Sequence, residues 1–190
     1  MLTRQLRISI LALAALSVLS GLLYPLAVTA MAQLCFRHKA NGSILLCGGR
    51  AAGSELVGQS FDEPRYFWGR LSATQPPFNA ASSAGSNYGP LNPALLRTTQ
   101  ARIDALRKAD PGNGGPIPAD LVTSSASGID PHISPAAAYY QARRVARLRG
   151  IPEQDMQRLI ARYTQGHFLG IFGEPRVNVL KLNIALAAGR

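Results

Sequence analysis

No charged side chain stands between Arg7 and Arg37, and that absence excludes a fully soluble fold for the first part of the chain. Acidic residues are also scarce. Lys and Arg number 20 against 10 Asp and Glu, giving a formal net charge of +10, so an acidic surface or anionic headgroups are the natural counterparts. Cys35 and Cys47 are the only cysteines, with no C-x-x-C and no Cys/His cluster, which removes the usual zinc patterns. An oxidising compartment would allow the two to pair, but Cys35 lies beside the apolar run, and two unpaired thiols are the favoured expectation. Histidine is sparse and dispersed, at His38, His132 and His167. There is no G-x-x-x-x-G-K-[ST] loop, no G-x-S-x-G elbow, no H-E-x-x-H helix and no internal repeat.

What is present begins with the uncharged window itself. From Ile8 to about Gln33 it is long enough to cross a hydrocarbon core of roughly 30 Å as one helix at about 1.5 Å per residue. Arg4, Arg7 and the terminal amine favour keeping the N-terminal stub in the cytoplasm. The expected organisation is a cytoplasmic stub (1–7), a transmembrane helix (8–34) and an exported domain (35–190). Ala30-Met31-Ala32 offers the alternative of a cleaved signal peptide, but the apolar stretch outlasts a usual h-region of about 7 to 15 residues. Both readings export the chain from about Arg37 onward, where nucleic acid is not an expected partner.

The exported part reads as one α+β domain. Asn41-Gly42-Ser43 is a turn, and Ile44 to Cys47 followed by Gly48-Gly49 reads as a strand entering a hairpin. Arg65 to Leu71 and Val177 to Leu186 are strand candidates. Between Ser72 and Pro93 the chain is rich in Ser, Asn, Gly and Pro, a long loop that should carry a role. Asn92-Pro93 opens a helix with Leu95, Leu96, Thr99, Ile103 and Leu106 at helical spacing. Ser134-Pro135 opens a second helix closed by Gly150, and a third runs from about Pro152 to Gln165, burying Met156, Leu159, Ile160 and Tyr163.

Few residues in this domain suggest chemistry. Asp130 and His132 lie in a loop among serines, so a Ser/His/Asp arrangement is conceivable, although Asp130-Pro131 is a turn former and His132 lies just before a helix cap. Gln141 shares a helical stripe with Ala138, Val145 and Leu148, placing an amide on the less polar side, either as a satisfied core glutamine or as a ligand contact. Arg143, Arg144, Arg147 and Arg149 read as a solvated basic face, with a docking patch for an acidic surface as the alternative. In the apolar run, Ser17 and Gly21 form a small-x-x-x-small pair that would let another helix approach. These two, with Tyr24 and Pro25 after them, are the candidate partner contacts.

Several strings together resemble a known family. They are Tyr24-Pro25-Leu26 in the span, Ala40-Asn41-Gly42-Ser43, Gly53 to Gln59, Tyr66 to Ala73, Gly85-Ser86-Asn87, Asn92-Pro93, the long run from Asp120 through Ser127-Gly128 and Asp130-Pro131-His132 to Ser134-Pro135, and Val177 to Leu180. The chain resembles the C subunit of the Kdp potassium-transporting ATPase (KdpC) over nearly its whole length, with the Asp120 to Pro135 run the most specific. Trp68 and Leu71 stand where that family more often has histidine and proline. The resemblance implies a non-catalytic accessory subunit of an ATP-driven K⁺ importer in the bacterial inner membrane, single-pass, with its domain in the periplasm. Its partners would be a channel-like subunit and a P-type ATPase subunit, and this chain lacks the D-K-T-G-T phosphorylation motif. No cofactor is expected to be tightly bound, but the resemblance also implies a part in ATP binding, at a glutamine matched by Gln141. A periplasmic Gln141 and cytoplasmic ATP fit poorly together, so a structural role in assembly is expected to dominate. The alternative is an exported soluble enzyme or binding protein with a cleaved signal.

Overall fold

The computed structural model describes residues 1–189, in two compact units that meet in sequence between Ser43 and Ile44. The first is dominated by one helix, Leu2–Cys35, which is long and apolar enough to cross a membrane. Its leucines and valines are all exposed, as expected for a surface meant for lipid or other helices. The helix is not uniform. Leu19–Leu23 forms a π turn that contains Gly21, and Pro25 stands two positions beyond its end. Proline lacks an N–H and clashes with the carbonyl four residues back, here that of Gly21, and a π turn relieves that conflict. The extra residue rotates everything after Leu23 by about 100° relative to an unbroken α-helix, so Tyr24 and Pro25 face a different direction from the one simple spacing from Ser17 would give.

The second unit is an α+β domain. Its hairpin pairs Ile44–Cys47 with Arg50–Ser54 in antiparallel register, Cys47 opposite Arg50. Gly48 and Gly49 close it with φ of 57° and 79°, the doubly left-handed two-residue turn that suits the strand twist. A three-stranded antiparallel sheet has Arg176–Asn178 at its centre, flanked by His132–Ile133 and Thr164–Gln165. On its central strand pack the helices Pro135–Arg149, Glu153–Tyr163 and Val179–Ala188, while Pro93–Ala109 packs against the short helix Ala119–Val122. The core gathers Phe67, Leu121, Ile133, Val145, Met156, Ile160, Val177 and Leu182.

The helix starts follow from their caps. Asn92 Oδ1 accepts from Ala94 N at 2.9 Å, Ser134 Oγ accepts from Ala137 N at 3.0 Å, and Gly150 ends the second helix in the left-handed conformation at φ 66°. In the third, Met156 and Ile160 are buried, with Leu159 and Tyr163 packed at the edge. Cys35 and Cys47 are both free and exposed.

Two strand expectations are corrected. Of Val177 to Leu186 only Val177 and Asn178 are in a strand, and a helix begins at Val179. The Asn178 side chain starts that helix by accepting from Lys181 N at 3.0 Å. The helix buries Val179, Leu180, Leu182, Asn183 and Leu186, and a segment apolar on nearly all sides carries no periodicity to separate helix from strand. Arg65 to Leu71 forms no strand: Arg65 and Tyr66 lie in a turn closed by Tyr66 N donating to Glu63 O at 3.1 Å, and Leu71 makes only an isolated bridge to Ser124.

Candidate functional site

The reason that Phe67 and Trp68 need no strand partner is that two side-chain amides replace one. Gln141, on the buried face of the Pro135–Arg149 helix, accepts from Trp68 N through Oε1 at 2.8 Å and donates from Nε2 to Trp68 O at 3.1 Å. Asn183, on the Val179–Ala188 helix, does the same for Phe67, accepting from its N at 3.0 Å and donating to its O at 3.0 Å. Each primary amide presents a donor and an acceptor side by side, matching what a neighbouring strand would offer.

Gln141 is 1% exposed. Its nitrogen also donates to Ala137 O at 3.2 Å, and its oxygen also accepts from Arg144 Nη2 at 2.7 Å. An amide has two donors and two acceptor sites, and all four are engaged within the domain.

Arg144 corrects the solvated-face expectation, being 2% exposed. Its guanidinium donates to the carbonyls of Pro64 and Tyr66 and lies 4.9 Å from the centre of the Trp68 ring. Arg102 lies 4.9 Å from the same ring and donates to Gly69 O at 2.8 Å and Leu121 O at 3.0 Å. Burial lowers the Arg102 pKa, and burial lowers that of Arg144 to about 10, with Asp110 opposing and the neighbouring Arg102 and Arg147 reinforcing the shift. Arg144 therefore stays protonated at neutral pH. Asp110, itself buried, pairs with Arg147 at 2.9 Å. Trp68 completes the cluster by donating from its ring to Glu63 O at 2.9 Å.

The Asp120 to Pro135 run is only in part a loop: it begins in the helical turn Ala119–Val122 and ends in the strand His132–Ile133, just before the helix at Pro135. Asp120 accepts from Ser134 N at 2.7 Å and from Ser134 Oγ at 3.2 Å, so the carboxylate orients the hydroxyl that caps the helix at Pro135. Asp130 turns the chain by accepting from His132 N at 3.0 Å and pairs with Arg70 at 3.3 Å. Burial would raise its pKa, but the hydrogen bonds and charge of His132, with Arg70, hold it below the usual carboxylate range. The loop also binds the long Ser72 to Pro93 segment. Ser72 Oγ donates to Gly128 O at 2.6 Å, Ser83 Oγ donates to Ser127 O at 2.9 Å, and Ser124 Oγ lies 3.1 Å from Ser86 Oγ. Asn87 follows in a left-handed turn at φ 51°. Gly128, at φ 69°, has no space for a Cβ, which would lie 2.4 Å from Ala84 O.

A Ser/His/Asp relay is not assembled here. His132 Nδ1 is 3.3 Å from Asp130 Oδ1, but the Ser134 hydroxyl is turned to Asp120 and to the helix N-terminus. Arg70, Asp120, Asp130, His132, Ser134, Glu174 and Arg176 do line an open cleft of about 310 Å³, in which Arg70 and Asp130 pair with each other. Among the described residues, no group of three or more His, Cys, Asp and Glu is placed to hold a metal. Asn183, Arg102 and Asp110 were not apparent as site residues in the sequence. An asparagine in a run whose other polar residue is Lys181 is the one signal that could have found Asn183.

These features define a class: a chain with one candidate membrane span and a domain in which the buried side chains of Gln141, Arg144, Asn178 and Asn183 bond to its own backbone. The model of the family described as K⁺-transporting ATPase, c chain (KdpC) matches residues 6–188. A relative from Herpetosiphon aurantiacus, a potassium-transporting ATPase KdpC subunit, is 61% identical over 171 residues, covering 90% of this chain and 89% of the relative. One of the same description from Sorangium cellulosum is 56% identical over 187 residues, covering 98% of each. The chain belongs to the KdpC family. Family and apolar helix together point to a membrane protein of the K⁺-transporting ATPase.

Proposed function

We propose that this chain is a non-catalytic accessory subunit that helps assemble and stabilise an ATP-driven K⁺ importer, with its N-terminus in the cytoplasm and its α+β domain outside the bacterial inner membrane. The work of transport and hydrolysis falls to other chains, a channel-like subunit and a P-type ATPase subunit. Ser17 and Gly21, with Tyr24 and Pro25, are the residues through which its helix would meet theirs. The observation that carries this reading is the state of Gln141: buried, with its four hydrogen-bonding positions engaged by Trp68, Ala137 and Arg144. An amide so engaged would have to abandon the Trp68 backbone to bind a nucleotide, leaving buried polar groups unpaired. Any effect of Gln141 on ATP binding would then pass through the fold. Membership of the family also favours a subunit over an exported enzyme with a cleaved signal.

The test is nucleotide titration of purified assembled complexes carrying the wild-type chain or Gln141→Ala. The expected outcome is poorer assembly, with unchanged ATP affinity in whatever complex survives. A selective loss of ATP affinity in a complex of normal composition and thermal stability would defeat the proposal and restore a direct nucleotide role.

A further inference from the structure

The hairpin leading from Thr164–Gln165 to Arg176–Asn178 ends in a tip where apolar side chains stand in solvent. Phe168, Leu169, Ile171 and Phe172 are 72%, 74%, 78% and 61% exposed. Elsewhere in this unit exposed apolar side chains are scattered, whereas here four fall within five consecutive positions. The turn is closed and ordered: Phe168 N donates to Phe172 O at 2.7 Å, and Phe172 N to Phe168 O at 2.9 Å. Leu169 holds φ at 53°, a left-handed conformation better suited to Asn or Gly. Turn geometry does not ask for leucine here, and the fold does not bury it.

We propose that this tip docks into an apolar pocket on another chain of the same K⁺-transporting ATPase. The inference rests on the assembly role proposed above. A lipid surface fits less well, because the stretch from 164 to 176 contains no Lys, Trp or Tyr, its one arginine, Arg176, lies back in the sheet bonded to Gln165, and Glu174 stands next to the tip. A second copy of this chain also fits poorly. Four such side chains offer roughly 500 Å², so a symmetric tip-to-tip contact would bury about 1,000 Å² in total, short of the roughly 1,200 to 2,000 Å² of a stable interface. Held to a complex by a membrane helix, however, the chain makes its second contact intramolecularly, where an effective concentration of order millimolar lets a small rigid patch suffice.

The test uses the full-length chain co-expressed with the other chains of the transporter. A photoreactive phenylalanine analogue in place of Ile171 should, on irradiation of intact membranes, give an adduct with another chain of the ATPase. Leu169→Asn combined with Ile171→Ser should speed dissociation of the detergent-purified complex about tenfold, the effect of removing an interfacial anchor. An adduct only with lipid, an adduct only with a second copy, no adduct at all, or unchanged dissociation would each overturn the tip inference while leaving assembly through the membrane helix intact. If the wild-type chain co-purifies with no other chain, the assembly role itself falls.

Discussion

Two short apolar segments of this domain, Tyr66 to Gly69 and Phe168 to Phe172, have opposite fates. Both are aromatic and neither belongs to a sheet of any length. Phe67 and Trp68 are buried, and Phe168 and Phe172 are exposed. What separates them is the backbone. A segment can be buried only if its N–H and C=O groups find partners, and the first segment receives them from Gln141, Asn183, Arg144 and Arg102 on three different helices. The second pairs its own ends and asks nothing of the core. Burial of the first was therefore arranged by polar residues far away in sequence, while exposure of the second leaves an apolar surface with no internal partner.

The largest effect should come from removing the borrowed partners. Gln141→Ala leaves both polar groups of Trp68 and one Arg144 nitrogen unpaired in the core, and Asn183→Ala does the same to Phe67. Each should destabilise the full-length chain by about 2 to 4 kcal/mol, Gln141→Ala the more strongly. Thermal unfolding in mild detergent would measure it, and losses under 0.5 kcal/mol would break the contrast between the two segments.

That contrast was only partly legible in the sequence. Helices with a cap and a polar face announced themselves: Asn92-Pro93 and Ser134-Pro135 each combine a side-chain acceptor with a residue that needs no N–H partner. The Gly48-Gly49 turn was equally local. Val179 to Leu186 was misread because burial on nearly every side erased its period. Arg65 to Leu71 is misleading because a β-rich composition does not say what its backbone pairs with. In the site, the helical stripe correctly placed the Gln141 amide inward, but the pairing with Trp68 spans 73 positions and left no local trace. Arg144 was concealed among three other arginines on its own helix.

A smaller effect tests whether the same logic of borrowed partners holds at a helix end. Ser134 both caps the Pro135–Arg149 helix through Ala137 N and receives orientation from Asp120. Ser134→Ala removes the cap acceptor and one of the two contacts to Asp120, at an expected cost of about 0.5 to 2 kcal/mol. Asp120→Asn should cost less, because the amide oxygen can still accept from Ser134 N. An unfolding midpoint unchanged by Ser134→Ala would show that the cap geometry contributes nothing.

The smallest expected effect on stability sharpens the comparison most, because it concerns the segment the core does not use. Leu169→Asn with Ile171→Ser removes two exposed side chains from the tip but neither of the backbone bonds between Phe168 and Phe172. Asparagine tolerates the left-handed backbone at position 169 better than leucine does, which offsets whatever local contact is lost. The isolated full-length chain in detergent should therefore unfold within about 0.5 kcal/mol of wild type. Destabilisation by 2 kcal/mol or more, as expected for Gln141→Ala, would mean that the tip packs within its own chain. The two aromatic segments would then differ in degree of burial and not in kind.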